Sequence, residues 1–197
     1  MHNTLMRTRQ VGKQELATAK ARLRIGDNVY NHLKYIVTYV LYDKFDFGFK
    51  KVSNFYGKLE SLDSAWRDDN NEKVTTERLY NYTYQKGYDV VAFIRSIPFS
   101  QKLTLADVKG NKVPLGANKD VDYGFLTMLI LAIPVLKESY RFNQNNIKEF
   151  MYWIAYFVES YTKKQPKTNI TYLCDDDIWQ MFIDEAHWDI RKGEKVA

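Results

Sequence analysis

One segment of this 197-residue chain occurs twice, and that repetition constrains the fold more than any other feature. VLYDKFDFGFKKVSNF, residues 40–55, overlays VLKESYRFNQNNIKEF, residues 135–150, at a shift of 95 without a gap. Val40 meets Val135, Leu41 meets Leu136, Asp43 meets Glu138 and Phe45 meets Tyr140. Phe47 then meets Phe142, Val52 meets Ile147 and Phe55 meets Phe150. Outside the window, Leu33 falls on Met128, Ile36 on Leu131 and Leu59 on Ile154, and TTERLYNYTYQKGYDV (75–90) resembles DDIWQMFIDEAHWDI (176–190). A recurring stretch of this kind marks a supersecondary unit used more than once. Each copy is too short to hide its own apolar face, so the two are expected to share one core.

The period of the apolar positions makes the units helical. Val29, Leu33, Ile36, Val37, Val40 and Leu41 recur at spacings of three and four and predict a helix reaching about Lys44. Val52, Phe55, Tyr56, Leu59, Leu62 and Trp66 predict a second, followed by the polar RDDNNE stretch. Thr75 or Thr76 is then expected to cap a third helix ending at Gly87. In the second copy, helices are expected from Phe125 to Tyr140, kinked at Pro134, and along Ile147, Phe150, Ile154, Phe157 and Val158. Asp175 to Asp177 would cap a last helix through Ala186. Between the copies, Val90 to Ile97 is β-prone, and Leu103 to Leu115 reads as a hairpin turning at Lys109-Gly110-Asn111.

The expected fold is therefore mainly α: two pseudo-repeated three-helix units on a shared core, with a small β-hairpin in the connector. Residues 1–27 form a basic N-terminal arm with a short helix stopped by Gly26, and Asp27 or Asn28 caps the next helix. Repeat one covers 28–90, the connector 91–122, repeat two 123–190 and a tail 191–197, the repeats making one compact domain. Phe45 and Phe47 are expected to plug a helix–helix corner rather than line a ligand loop, because the second copy has no counterpart of Gly48.

YDKFDFGFKKV (42–52) carries the pattern of a D-K/E-F-G-F-G corner, with Asp46 where glycine is usual, and KESYRFNQNNI (137–147) carries a degenerate form without glycine. In these motifs each copy resembles a family of short helical proteins carried by phages and prophages of low-GC Gram-positive bacteria, over residues 28–90 and 123–190. The resemblance implies a mobile-element origin and transfers no catalytic residue. The family itself has no characterised activity. By analogy with phage-borne proteins that lack enzymatic motifs, which often act by binding host or phage machinery, the resemblance implies a binding role, including inhibition of host defence in the manner of anti-CRISPR proteins.

The chain has a net charge of +5, and residues 1–25 account for all of it, with Arg7, Arg9, Lys13, Lys20, Arg22 and Arg24 against Glu15 alone. The rest of the chain balances, so the basic character belongs to the arm. A lone cysteine, Cys174, excludes an internal disulfide. Met1 to Arg24 holds no apolar leader core, and the longest apolar run, Phe125 to Leu136, is too short to span a bilayer. A soluble protein of a bacterial cytoplasm is expected.

Chemistry-bearing constellations are sparse. His2, His32 and His187 are too scattered for a histidine-based metal site. Asp184 and Glu185 before His187, and Asp175 to Asp177 beside Cys174, are better read as a solvated acidic face and a helix cap than as cation ligands. No phosphate-cradling glycine loop or serine elbow occurs. No catalytic, cofactor or metal residue is therefore assigned, and an enzyme is not expected.

Binding is the remaining class. The candidate contact residues are Arg7, Arg9, Lys13, Lys20, Arg22 and Arg24, with Phe49, Lys50, Lys51 and Lys58 after the corner. The tyrosines, among them Tyr30, Tyr35, Tyr39, Tyr42, Tyr80, Tyr82 and Tyr84, exceed what two small apolar stripes need and suit a protein interface. A protein or nucleoprotein partner is the first expectation. The alternative is a DNA- or RNA-binding accessory protein whose basic arm contacts phosphates, and a virion structural role is the remaining one.

Overall fold

The apolar stripe from Val29 to Leu41 forms a helix, but that helix starts far upstream: α1 runs from His2 to Phe45. The computed structural model describes residues 2–66, 72–106 and 116–162, with 183, 188–189 and 194–195. For residues 2–16, 72–74, 161–162 and the last two pairs it describes the backbone alone. After α1 come α2 (Phe49–Trp66), α3 (Glu72–Gln85), α4 (Val90–Ser96), α5 (Phe99–Thr104), α6 (Ala117–Tyr140) and α7 (Gln144–Thr162). Two-residue strands, β1 (Trp188–Asp189) and β2 (Glu194–Lys195), pair antiparallel. The protein is mainly α-helical.

Several expectations are corrected, among them the cap at Asp27 or Asn28, since both residues lie inside α1. Gly26 does not stop a first helix; it lies inside α1, so the arm of residues 1–27 is continuous with the helix of the first unit. Glycine serves a helix end through positive φ and a helix crossing through its missing Cβ. The crossing depends on Gly124, where a Cβ would stand 2.7 Å from the Gly26 carbonyl oxygen, whereas a Cβ on Gly26 itself would meet only the Asp120 carbonyl oxygen at 3.4 Å, an ordinary contact. Thr75 is likewise buried inside α3 rather than capping it.

Val90 to Ile97 is not extended but forms α4, capped by Asp89, whose carboxylate accepts the Ala92 amide at 2.9 Å. Val90, Ile94 and Ile97 are all buried, at helical spacing, and packing of that face outweighs the β-branched composition. The front of the expected hairpin, Leu103 to Ala106, is the end of α5 and a turn, while its Lys109-Gly110-Asn111 tip lies outside the described residues. The expected last helix, 175–186, also falls outside them, apart from 183.

The centre of the molecule is α6. Every residue from Met128 to Leu136 is buried, which accounts for the long apolar run. Arg22 meets Asp120, Val29 meets Gly124, and Phe45 meets Phe142, so α1 and α6 ascend side by side in parallel. α2 folds back along α1, placing Tyr56 against Lys34 and Thr38. α7 folds back along the other side of α1, with Phe150 near Phe45 and Phe157 against Tyr39. Pro134 has no N–H to give the Ile130 carbonyl. The buried Thr83 hydroxyl, reaching across from α3, has two carbonyl acceptors in range of its single proton, Leu79 at 2.9 Å in its own helix and Ile130 at 3.3 Å.

The two corners have one geometry. Asp46 (φ 54°) and Arg141 (φ 58°) are the positive-φ residues other than glycine among those described. The Phe47 amide donates to the Leu41 carbonyl at 2.9 Å, and the Phe142 amide to the Leu136 carbonyl at 3.1 Å. Each of these matched positions is separated by 95 residues. The left-handed position of each corner is thus held by Asp46 and Arg141, whereas Gly48 carries no positive φ.

Candidate functional site

At the corners the aromatic side chains exchange partners between the two hairpins. Phe45 packs on Phe142 and Phe47 on Tyr140, both with centroids 4.8 Å apart. Phe45 faces Phe150 at 6.4 Å and Tyr140 faces Phe55 at 6.3 Å, with interplanar angles of 56° and 55°. Phe47 is buried and Phe45 packs against the core, so these rings are structural, as expected of a corner plug.

A concave feature of the described surface lies elsewhere. A cleft of about 400 Å³ opens between α1, α2 and α6. Its floor is Leu59, Gly124 and Leu131, and its walls carry Tyr30, Tyr56 and Tyr123. Four carboxylates face it, those of Asp27, Glu60, Asp63 and Asp120, against the cations Arg22 and Lys34. The pattern follows from helical spacing, since Gly26, Asp27, Tyr30 and Lys34 share one side of α1, and Tyr56, Leu59, Glu60 and Asp63 one side of α2.

Arg22, Asp120 and Lys34 are engaged within the cleft, and Asp63 also has an interaction partner. Arg22 clamps Asp120 with Nε 2.8 Å from Oδ2 and Nη2 3.2 Å from Oδ1, and that hydrogen bond raises the guanidinium pKa further. Lys34 Nζ lies 4.7 Å above the Tyr56 ring. The Tyr56 and Thr38 hydroxyls are 2.8 Å apart, and both reach the Lys34 carbonyl. Burial pushes the Tyr56 phenol well above its ordinary value, against the opposing hydrogen bond from Thr38. Burial also raises the Tyr30 phenol, assisted by the nearby charges of Asp63 and Glu60. At neutral pH the cleft therefore presents neutral phenols and a net negative charge, a surrounding that suits a cation. Among the described residues no group of three histidine, cysteine or acidic side chains is placed to hold a metal ion.

The residues singled out from sequence are not brought into one patch. Arg7, Arg9 and Lys13 lie on the first turns of α1, where only the backbone is described. Lys20 and Arg24 are exposed, while Arg22 is committed to Asp120. Phe49 is half-buried against the core. Lys50, Lys51 and Lys58 are exposed on α2, with Lys51 Nζ 5.5 Å from the Phe47 ring and 3.3 Å from the Asp46 carbonyl. About 30 Å of helix separates Arg24 from the corner at 1.5 Å per residue, and the acidic cleft sits beside that interval. Tyr30, Tyr35, Tyr39, Tyr42 and Tyr80 pack against the core, leaving Tyr84 the more exposed.

The cleft was missed from sequence, yet a signal existed. Tyr30, Lys34, Glu60 and Asp63 stand where the second copy has Phe125, Leu129, Ala155 and Val158, a one-sided exchange of apolar for polar. Compared with family models, with curated protein sequences and with solved structures, the chain matches none. No helix among the described residues is long and apolar enough to cross a membrane.

Proposed function

We propose that this protein is a non-enzymatic binding module whose target is another protein or a nucleoprotein complex, built from two copies of one helix–corner–helix unit about a pseudo-twofold axis. The twofold reading is supported by the corners. Exchanging each residue for its counterpart 95 positions away converts the Phe45–Phe142 contact into Tyr140–Phe47, and Phe45–Phe150 into Tyr140–Phe55. Such reciprocity is the mark of an isologous interface, here within one chain.

The observation that carries the binding reading is Leu23. It is 70% exposed, the most exposed large apolar side chain among those described, and stands at the rim of the cleft between exposed Lys20 and Arg24. Beside a cleft rimmed by tyrosines and flanked by Lys20 and Arg24, Leu23 is read as a contact for a partner offering both apolar and acidic groups, as a protein surface does. Phosphate alone needs only the cations. The mobile-element origin and a role in inhibiting host defence rest on the family resemblance of the corner motifs.

The test is capture from a lysate of a low-GC Gram-positive host by the whole chain and by Leu23→Gln. A stoichiometric protein retained by the first and lost by the second supports the reading. Titration against duplex and single-stranded nucleic acid at two salt concentrations tests the alternative. Strongly salt-dependent binding of micromolar affinity, abolished by deleting residues 1–20, would replace the protein reading by the nucleic-acid one. That deletion spares Arg22 and Ile25, which belong to the packed body.

A further inference from the structure

We infer that the cleft between α1, α2 and α6 is the docking site for a short basic helical segment of another protein, with a lysine or arginine entering toward Asp27, Glu60 and Asp63. The inference rests on the pseudo-twofold reading and adds a site and a ligand chemistry to it. Under the 95-residue shift the cleft has a counterpart, the groove between α6, α7 and α1. That groove is occupied by the chain itself.

Its occupant is α5 with the turn that follows. Lys102 is 4% exposed, and its ammonium donates to Asp122 Oδ1 at 2.5 Å and to the Ile94 carbonyl at 2.9 Å. Asn28 Nδ2 donates to the Ala106 carbonyl at 3.0 Å, and His32 Nδ1 lies 2.6 Å from the Leu105 carbonyl. Asp122, Asn28 and His32 are the counterparts of Asp27, Tyr123 and Thr127, all of which line the cleft. The groove therefore takes a helical turn by its backbone carbonyls and a lysine by its aspartate, and the same positions recur on the other side.

The differences between the two sides specify what the cleft prefers. Glu60 and Asp63 replace Ala155 and Val158, Tyr30 replaces Phe125, and Lys34 replaces Leu129, so the cleft gains two carboxylates and one cation at these positions. The cleft is more anionic and less apolar than the filled groove, so its occupant is more basic and less apolar than α5. Tyrosine faces and carboxylates together suit an ammonium or guanidinium group on a short apolar base. The apolar floor of Leu59 and Leu131 receives that base. The lysine of a helical turn has this form, whereas a nucleic-acid phosphate would be repelled.

The experiment uses the full chain and a fluorescein-labelled alanine–lysine helical peptide, with binding read by fluorescence anisotropy. Saturable binding is expected, weakened by about tenfold or more in the Asp27→Asn/Glu60→Gln/Asp63→Asn variant through loss of charge-assisted contacts. The charge-matched variant Asp46→Asn/Glu77→Gln/Glu149→Gln, altered outside the cleft, is expected to bind as the wild type does. Thr127→Trp, which fills the cleft without changing charge, is expected to abolish binding. Equal weakening by both triple variants would overturn the inference, as would binding unaffected by Thr127→Trp or no saturable binding at all. Self-association of the chain that disappears in the cleft variant would assign the site to a second copy and overturn it too. Capture through Leu23 reads the protein-binding proposal separately, so a failed peptide titration with intact capture defeats this inference alone.

Discussion

Gly124→Ala isolates the closest approach in the molecule. A Cβ there would stand 2.7 Å from the Gly26 carbonyl oxygen and 2.9 Å from Cβ and Cγ1 of Val29. Ordinary contact begins at 3.4 Å, so α1 and α6 must separate by as much as 0.7 Å (3.4 less 2.7) or bend. Overpacking of a core costs about 1–3 kcal/mol, and a main-chain oxygen inside a helix yields less than a flexible side chain, which places this change toward about 3. Alanine regains about 1 kcal/mol of helix propensity over glycine. The net is a loss of about 1–2 kcal/mol, or about 2–8 °C in melting temperature for a chain of this size. Thermal unfolding followed by circular dichroism measures it. Gly57→Ala, with nothing within 4 Å of the added carbon, supplies the opposite sign, since propensity alone acts there and stability is expected to rise. Adding Val29→Ala to Gly124→Ala removes the Cγ1 contact and is expected to cost less than the two single changes summed. A Gly124→Ala protein that melts at or above the wild type would refute the close α1–α6 crossing.

Three further outcomes follow from particular contacts. Thr83→Val removes the hydroxyl proton shared between the Leu79 and Ile130 carbonyls and is expected to cost about 1 kcal/mol; in a Pro134→Ala background, where the restored main-chain amide supplies the Ile130 bond, the cost should shrink, and an undiminished cost in the double-mutant cycle would assign the hydroxyl to Leu79 and sever Thr83 from Pro134. Arg141→Gly relieves a left-handed residue and is expected to stabilise the chain by about 0.5 kcal/mol, measured by denaturant titration, whereas a loss would contradict the corner geometry. The Tyr56 phenol, raised by burial above its ordinary value of 10, binds its proton more tightly in the folded than in the unfolded chain. Its contribution is therefore complete below pH 10 and is lost as pH rises through the higher folded value. Tyrosinate absorbance from Tyr56 should appear only as the chain unfolds, and Tyr56→Phe should move alkaline unfolding to higher pH while costing about 1 kcal/mol at neutral pH; no change in the alkaline midpoint would contradict the buried phenol.

The helices that build the core were legible because their apolar positions recur at helical spacing: Val29 to Leu41, Val52 to Leu59 and Ile147 to Val158 are buried as that spacing required. The corner rings were legible through their recurrence. Gly26 was not, because a glycine that ends a helix and one inside it look alike locally, and the residue whose missing Cβ admits the crossing, Gly124, is identified only once the two helices are placed together. Val90 to Ile97 misled because local β propensity and helical burial pointed in different directions, and tertiary packing decided. In the basic set, Arg22 proved to be half of an ion pair whose other half lies 98 residues away, a pairing that local sequence does not carry. The cleft was hidden for the same reason, since its walls come from three helices, and only comparison of the two copies exposes it.

The central claim, that two matched hairpins are related by a pseudo-twofold axis, is tested most directly by paired spin-label distances. In a Cys174→Ser background, one protein carries nitroxides at residues 43 and 148, and a second carries them at residues 138 and 53; these are exposed positions that the 95-residue shift exchanges. Double electron–electron resonance should return the same distance for the α1–α7 pair and the α6–α2 pair. Two distances separated by more than the widths of their distributions would contradict the twofold arrangement.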